Sequence, residues 1–312
     1  MNFLPYAYRH RYSESLITSA DHQRDTPFCL YENKSNGIAN VTLNHPEKLN
    51  ALGDDLMDDL FSCLKRALLD DSVTVIVLAG NGRAFSAGLD LAVGTDVGEI
   101  GSPINPDRTP SVSQYWGFER RRCIVWDDIA RFPKPIIARI HGYCLGAAFL
   151  LAQSCDQIVA AESTTLGVRG FHEFPTGLYD AGFWPVQSEI FRGNSYENDA
   201  ITADDWLRAG LISDCVKDDQ LDQRVRELTE QFSAAGLESS VRNKQVIRDL
   251  QLEGGLREAL RAHEAGHIGI QWVRWREGET NLYREKRRGG FQAFLAQRRA
   301  GTEIPEEPGE PS

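Results

Sequence analysis

Two turns in this sequence place small residues where free backbone amides could meet a developing negative charge. The first, Arg83-Ala84-Phe85-Ser86-Ala87-Gly88-Leu89-Asp90-Leu91, follows the apolar run Val73–Ala79. The second, His141-Gly142-Tyr143-Cys144-Leu145-Gly146-Ala147-Ala148, follows Ile136–Ile140. Small residues between a strand and a helix leave N–H groups without partners, and the helix that follows adds the positive end of its dipole. Brought side by side, two such turns could donate two N–H bonds to one oxyanion. The same residues would also serve close packing of helix on sheet.

A second group of chemically capable residues lies in Phe171-His172-Glu173-Phe174-Pro175-Thr176-Gly177-Leu178-Tyr179-Asp180-Ala181-Gly182. A carboxylate among Phe171, Phe174, Phe183 and Trp184 would be partly desolvated, which would raise its pKa toward that of a working acid or base. The bland alternatives are that Glu173 caps or ion-pairs a surface loop, that Asp180 starts a helix at Gly182, and that His172 is structural. His263-Glu264-Ala265-Gly266-His267 matches the zinc pattern HExxH, with two imidazoles one helical turn apart. Residues 268–312 contain no further histidine to complete a ligand set, and so short a pattern arises easily by chance. No metal site is expected. Arg120-Arg121-Arg122 and the cations Arg284, Lys286, Arg287, Arg288, Arg298 and Arg299 could meet phosphates, or could form solvated helix faces.

The elements that must position these groups alternate strand and helix. Periodicity predicts a strand over Ile38–Leu43, a helix over Gly53–Leu69 with Leu56, Leu60, Leu64 and Leu68 in a stripe, and a buried strand over Val73–Ala79. Residues 92–114, punctuated by Gly and Pro, form a long loop of functional character. A helix over Ser113–Phe132, a strand over Ile136–Ile140, a helix over Phe149–Ser154 and a strand over Gln157–Ala161 follow. That alternation implies right-handed crossovers and a mostly parallel sheet. From about Asp204 only helical periodicity remains, through Leu221–Ala235, Ser239–Leu252 and Leu256–Arg276. The organisation expected is a flexible N-terminal arm (1–26), an α/β core (27–203), a helical C-terminal region (204–301) and a disordered acidic tail (302–312).

Composition narrows the partners. With 34 Lys and Arg against 45 Asp and Glu, the 312-residue chain carries a net charge of −11. Such a field repels phosphate backbones and anionic lipids, so neither nucleic acid nor a membrane surface is an expected partner. No apolar stretch approaches the ~20 residues of a bilayer span, and the N-terminus lacks the apolar core of a signal peptide. A cytoplasmic location is expected, consistent with six scattered cysteines and no CxxC pair.

Taken together and in order, the motifs resemble a known family. Leu43-Asn44-His45-Pro46-Glu47-Lys48-Leu49-Asn50-Ala51-Leu52, the Ala87-Gly88-Leu89-Asp90-Leu91 turn, and Lys134-Pro135-Ile136-Ile137-Ala138 leading into the second turn and Ser154-Cys155-Asp156 are similar to the crotonase (enoyl-CoA hydratase/isomerase) superfamily. Ala209-Gly210-Leu211-Ile212 and Phe291-Gln292-Ala293-Phe294-Leu295 fit as well, so that the likeness covers roughly residues 28–299. The resemblance implies an α/β spiral of ββα units with a helical C-terminal trimerisation region, giving a homotrimer or a dimer of trimers. It implies an acyl-CoA substrate whose coenzyme A moiety belongs to the substrate, with no separate cofactor. The thioester oxygen would sit between the amides of Leu89 and Ala147. Ala87, Gly88, Asp90 and Gly146 would surround it, Lys48 would contact CoA, and Trp184 would line the acyl pocket.

The departures from the family pattern direct the chemistry. The two glutamates of its hydratases fall by position on Leu150 and Gly170, and a lysine that helps to bind CoA is replaced by Ala92. The family's dienoyl-CoA isomerases place their carboxylates near Glu173 and Asp180, which points to double-bond isomerisation or a related rearrangement with Asp180 and Glu173 moving protons. His172 is the third catalytic candidate. With Asp180 it would activate water in the alternative reading, a carbon–carbon bond hydrolase of a cyclic β-diketone that needs no CoA. A non-catalytic binding protein on the same fold is the remaining alternative.

Overall fold

The computed structural model describes residues 27–34, 36–90, 128–167, 202–251, 253 and 254. The terminal arm and tail, the loop 92–114, most of the helix expected before Phe132, the segment holding His172, Glu173, Asp180 and Trp184, and the HExxH motif lie outside these residues. Elements are numbered below along the described residues.

Strand β1 (Cys29–Asn33) pairs antiparallel with β2 (Ile38–Leu43), and every other pairing is parallel. With β3 (Val75–Gly80), β4 (Ile136–Ile140), β6 (Gln157–Ala161) and β8 (Asp214–Val216) they form a six-stranded sheet of order β1-β2-β3-β4-β6-β8. Two short strands, β5 (Tyr143–Leu145) and β7 (Thr165–Gly167), make a second parallel pair. The helices are α1 (Asp54–Leu69), α2 (Ala147–Gln153), α3 (Ala203–Arg208), α4 (Leu221–Ala235) and α5 (Leu237–Gln251).

Strand β3 reads as an unbroken apolar run because both its faces are covered. Ile76 and Leu78 join the core that holds Leu56, Leu60 and Leu64 of α1, whereas Val75 and Val77 join Val225 and Leu228 of α4 on the opposite face. A parallel sheet clad on both sides keeps its strand ends as the places where backbone can still reach outward, and both small-residue turns leave from such ends.

The expected elements that fall within the described residues are found with small shifts. Gly53 is the N-cap of α1, and Asp54 and Asp55 oppose the positive helix end. The stripe of α1 departs from strict fourfold spacing: Leu56, Leu60 and Leu64 are buried, then Ala67 takes the core position while Leu68 is only partly covered. A helix of about 3.6 residues per turn rotates a fourfold series progressively off the core. The helical reading of everything after Asp204 omitted β8, whose three residues are too few to carry a period. The turn 141–148 likewise contains β5, and the helix after it begins at Ala147 and not at Phe149. No helix among the described residues is long and apolar enough to cross a membrane.

Two buried lysines knit the helices to the sheet. Lys134 Nζ donates to Ala67 O and Asp70 O, both at 2.7 Å, placing a cation at the negative, carbonyl-bearing end of α1. Lys244 of α5 donates to Asp156 Oδ2 at 2.6 Å and to Lys134 O at 3.2 Å, and the same Asp156 oxygen accepts from Ile136 N–H at 2.8 Å. One carboxylate thereby anchors the start of β4 and α5 together.

Burial lowers the pKa of Lys134 from 10.5 to about 8, against the opposing pull of Asp70 and Asp71. Between those values the unfolded chain binds more protons than the folded one, so this residue makes stability rise with pH, by at most about 3 kcal/mol. Urea midpoints of the wild type should climb relative to those of Lys134→Met between pH 8 and pH 10.5. Parallel curves would show that the ammonium keeps its proton throughout.

Candidate oxyanion site

The first turn is held by backbone hydrogen bonds on both flanks. Ala87 N–H donates to Leu49 O at 2.9 Å, Leu52 N–H to Gly88 O at 2.7 Å and Asp90 N–H to Leu52 O at 3.0 Å. On the other flank Ser86 N–H donates to Tyr143 O at 3.0 Å and Leu145 N–H to Ser86 O at 3.2 Å, a parallel bridge that joins the turn to β5. In the second turn Gly146 N–H donates to Gly167 O at 2.8 Å, fixing the start of α2 against the end of β7.

The approach of the two turns depends on glycine. Gly88 has φ of +96°, and a Cβ there would lie 2.6 Å from Leu145 O and 3.6 Å from Ala147 N. No side chain fits between them, and no other residue readily adopts that backbone. Gly146 has φ of +54° and ψ of −123°, again a glycine conformation, and its carbonyl accepts from Phe149 and Leu150 as α2 begins. Among the described residues the N–H groups of Leu89 and Ala147 have no acceptor. In Leu89 this follows from peptide planarity: Gly88 O points at Leu52, so the N–H on the opposite side of the same plane points away from it.

Asn50, which holds the first turn, was not singled out by sequence. Asn50 is fully buried with φ of +54°, and its amide Nδ2 donates to Asn81 O (2.8 Å), Ala84 O (2.9 Å) and Phe85 O (3.2 Å). Its Oδ1 accepts from His45 N–H at 2.8 Å. One side chain thus satisfies the backbone of two loops more than thirty residues apart, as buried carbonyls and amides demand. Asn tolerates left-handed backbone, so an asparagine amid apolar neighbours just after a strand was the available signal. His141 braces the second turn: Arg139 Nη1 lies 3.1 Å from Nδ1, so Nδ1 accepts and the Nε2–H donates to Gly82 O at 2.9 Å.

The electrostatics around the turns are quiet. Lys48 Nζ is 2.9 Å from Asp90 Oδ2, with the lysine about half exposed and the aspartate nearly covered. Lys48 therefore stands beside the first turn with its charge shared by Asp90. Burial pushes the thiol of Cys144, within the second turn, well above its usual pKa, so it is no thiolate nucleophile. Leu150 of α2 is buried and brings no titratable group to the site. The structure thus brings together Lys48, Ala87, Gly88, Leu89 and Asp90 with Gly146 and Ala147; Asp180, Glu173, His172 and Trp184 lie outside the described residues.

Backbone donors on two apposed turns at the ends of adjacent parallel strands agree with the family comparison, in which the sequence model for enoyl-CoA hydratase/isomerase matches residues 33–293. The chain belongs to the enoyl-CoA hydratase/isomerase family. It is 29% identical over 245 residues to the 2,3-dehydroadipyl-CoA hydratase of Escherichia coli K12, covering 74% of this chain and 89% of that protein. It is 28% identical over 274 residues to the 1,2-epoxyphenylacetyl-CoA isomerase of the same organism, covering 84% and 93%. Among solved structures, the enoyl-CoA hydratase/isomerase of Xanthobacter autotrophicus Py2 superposes with a TM-score of 0.74 at 24% identity, covering 89% of this chain and all (100%) of that one. An enoyl-CoA hydratase of Mycobacterium smegmatis gives 0.74 at 24% identity, over 89% and 94%. The fold is that of the crotonase superfamily, with its mostly parallel sheet and helical C-terminal part.

The Asn50 network sets a stability expectation. Asn50→Ala leaves three carbonyls and one amide without partners and puts alanine in left-handed backbone, which should cost at least about 3 kcal/mol. Urea denaturation measures it; a loss below about 1 kcal/mol would mean that water replaces the side chain.

Proposed function

We propose that this enzyme acts on an acyl-CoA thioester through an enolate, and that the reaction is a double-bond isomerisation or a related rearrangement. The observation that carries the reading is the pair of amides left without a partner among the described residues, Leu89 N–H and Ala147 N–H, on turns packed backbone to backbone. Removing a proton beside or in conjugation with a thioester carbonyl puts negative charge on its oxygen. Fixed N–H dipoles in a site closed to water stabilise that charge without reorganising.

The proton traffic requires side chains, and Leu150 supports the choice between hydration and isomerisation. The position in α2 where the family's hydratases carry a glutamate is an alkyl group here, so no base at that position activates water. Asp180 and Glu173, with His172 as the third candidate, are the groups proposed to take a proton from one carbon and return one to another. Both a hydratase and an isomerase are among the relatives, so family membership leaves this choice to the site residues. Coenzyme A enters as part of the substrate, and Lys48, beside the first turn, is the basic group proposed to meet it.

A panel of enoyl- and dienoyl-CoA substrates followed by absorbance and mass tests the reading. Isomerisation without mass change is expected, and Asp180→Asn should lower kcat by about 10²–10⁴-fold with a small effect on KM. Glu173→Gln should do likewise. Rapid gain of water by enoyl-CoA in the wild type, undiminished in both variants, would overturn the assignment. Turnover of a free cyclic β-diketone with no affinity for CoA would favour carbon–carbon bond hydrolysis.

A further inference from the structure

Ser86 uses every polar group it has, and each goes to a different place. Its N–H donates to Tyr143 O (3.0 Å) and its carbonyl accepts from Leu145 N–H (3.2 Å). Its hydroxyl donates to Asn50 O at 2.6 Å, and the hydroxyl oxygen accepts from Gly88 N–H at 3.2 Å. The residue is completely buried, so no solvent molecule can replace a missing partner without a cavity to hold it.

The consequence falls on the next peptide. Gly88, at φ of +96°, is the most freely rotating link in the turn, and two bonds restrain it. Ser86 Oγ holds its N–H, and Leu52 N–H holds its carbonyl at 2.7 Å. With both ends fixed, the Gly88–Leu89 peptide plane has one orientation, and Leu89 N–H has one direction. We propose that the Ser86 hydroxyl, itself oriented by Asn50 O, is a positioning residue for the Leu89 donor. It touches no substrate; it determines whether that amide points where the thioester oxygen must sit. The inference rests on the acyl-CoA reading and deepens it by naming what aims one of the two donors. A donor displaced by a fraction of a bond length loses most of its selectivity for the charged state, while the distant CoA contacts are untouched.

The test separates polarisation from binding. The probe is 4-dimethylaminocinnamoyl-CoA, whose absorption moves to the red when its thioester carbonyl is polarised. It is titrated into full-length wild type, Ser86→Ala, Ser86→Cys and Leu64→Ala, the last changing a core residue of α1 that makes none of these hydrogen bonds. The wild type should show the red shift. Ser86→Ala should bind within about threefold of wild-type affinity but lose roughly half the shift or more, since binding and polarisation are carried by different contacts. Ser86→Cys, close in volume with a weaker hydrogen-bonding group, should fall between and serves if the alanine variant does not fold. Leu64→Ala should lose stability yet keep the shift. A full shift in Ser86→Ala or Ser86→Cys, or equal loss in Leu64→Ala, overturns the positioning role alone. A wild type that binds the probe without any shift overturns the oxyanion reading and this role with it.

Discussion

Two backbone segments from opposite sides of a strand junction have to lie against each other without side chains between them. This contact, where a Cβ on Gly88 would come within 2.6 Å of Leu145 O, is the constraint around which the rest of the site is arranged. It requires β3 and β4 to be neighbours in parallel, so that the turns leaving them emerge at the same edge. It also requires glycine at Gly88 and at Gly146, where the chain takes conformations a side chain opposes. The bridge between Ser86 and Cys144 then converts proximity into register.

Turns this deep carry backbone groups that water cannot reach, and their satisfaction explains the buried polar residues nearby. Asn50 supplies donors to two carbonyls of the first turn and to Asn81 O just before it, Ser86 ties that turn to both flanks, and His141 with Arg139 braces the second. Each is a polar side chain placed where an apolar one would strand several donors or acceptors, a loss larger than the hydrophobic gain of burying a methyl group. The sheet behind them contributes rigidity: two apolar cores pin β3 from both faces, and the Asp156–Lys244–Lys134 chain pins the start of β4. Rigid strands transmit that fixed position to the amides at their ends, which is what electrostatic stabilisation of an enolate requires.

Long periodic elements were legible from residue order. Strand Ile38–Leu43, strand Ile136–Ile140, strand Gln157–Ala161 and helix Leu221–Ala235 have the bounds that periodicity predicts, because each repeats its pattern over enough residues to be self-consistent. Strands β5, β7 and β8, each of three residues, were not legible. They exist because a neighbouring edge offers hydrogen bonds, a condition outside their own sequence. Asn50 and Ser86 stood within recognised motifs, yet their roles depend on partners such as Phe85 O for Asn50 and Asn50 O for Ser86, 35 and 36 residues away.

Residue order by itself determined the family, the α/β alternation, the two small-residue turns and the loss of a titratable group at Leu150. These follow from local pattern and side-chain identity, which need no partner to be read. Tertiary structure decided which amides are left free and which way they face. An N–H is free only when everything else that could accept it is already engaged, and that accounting closes only after strands from distant parts of the chain have paired.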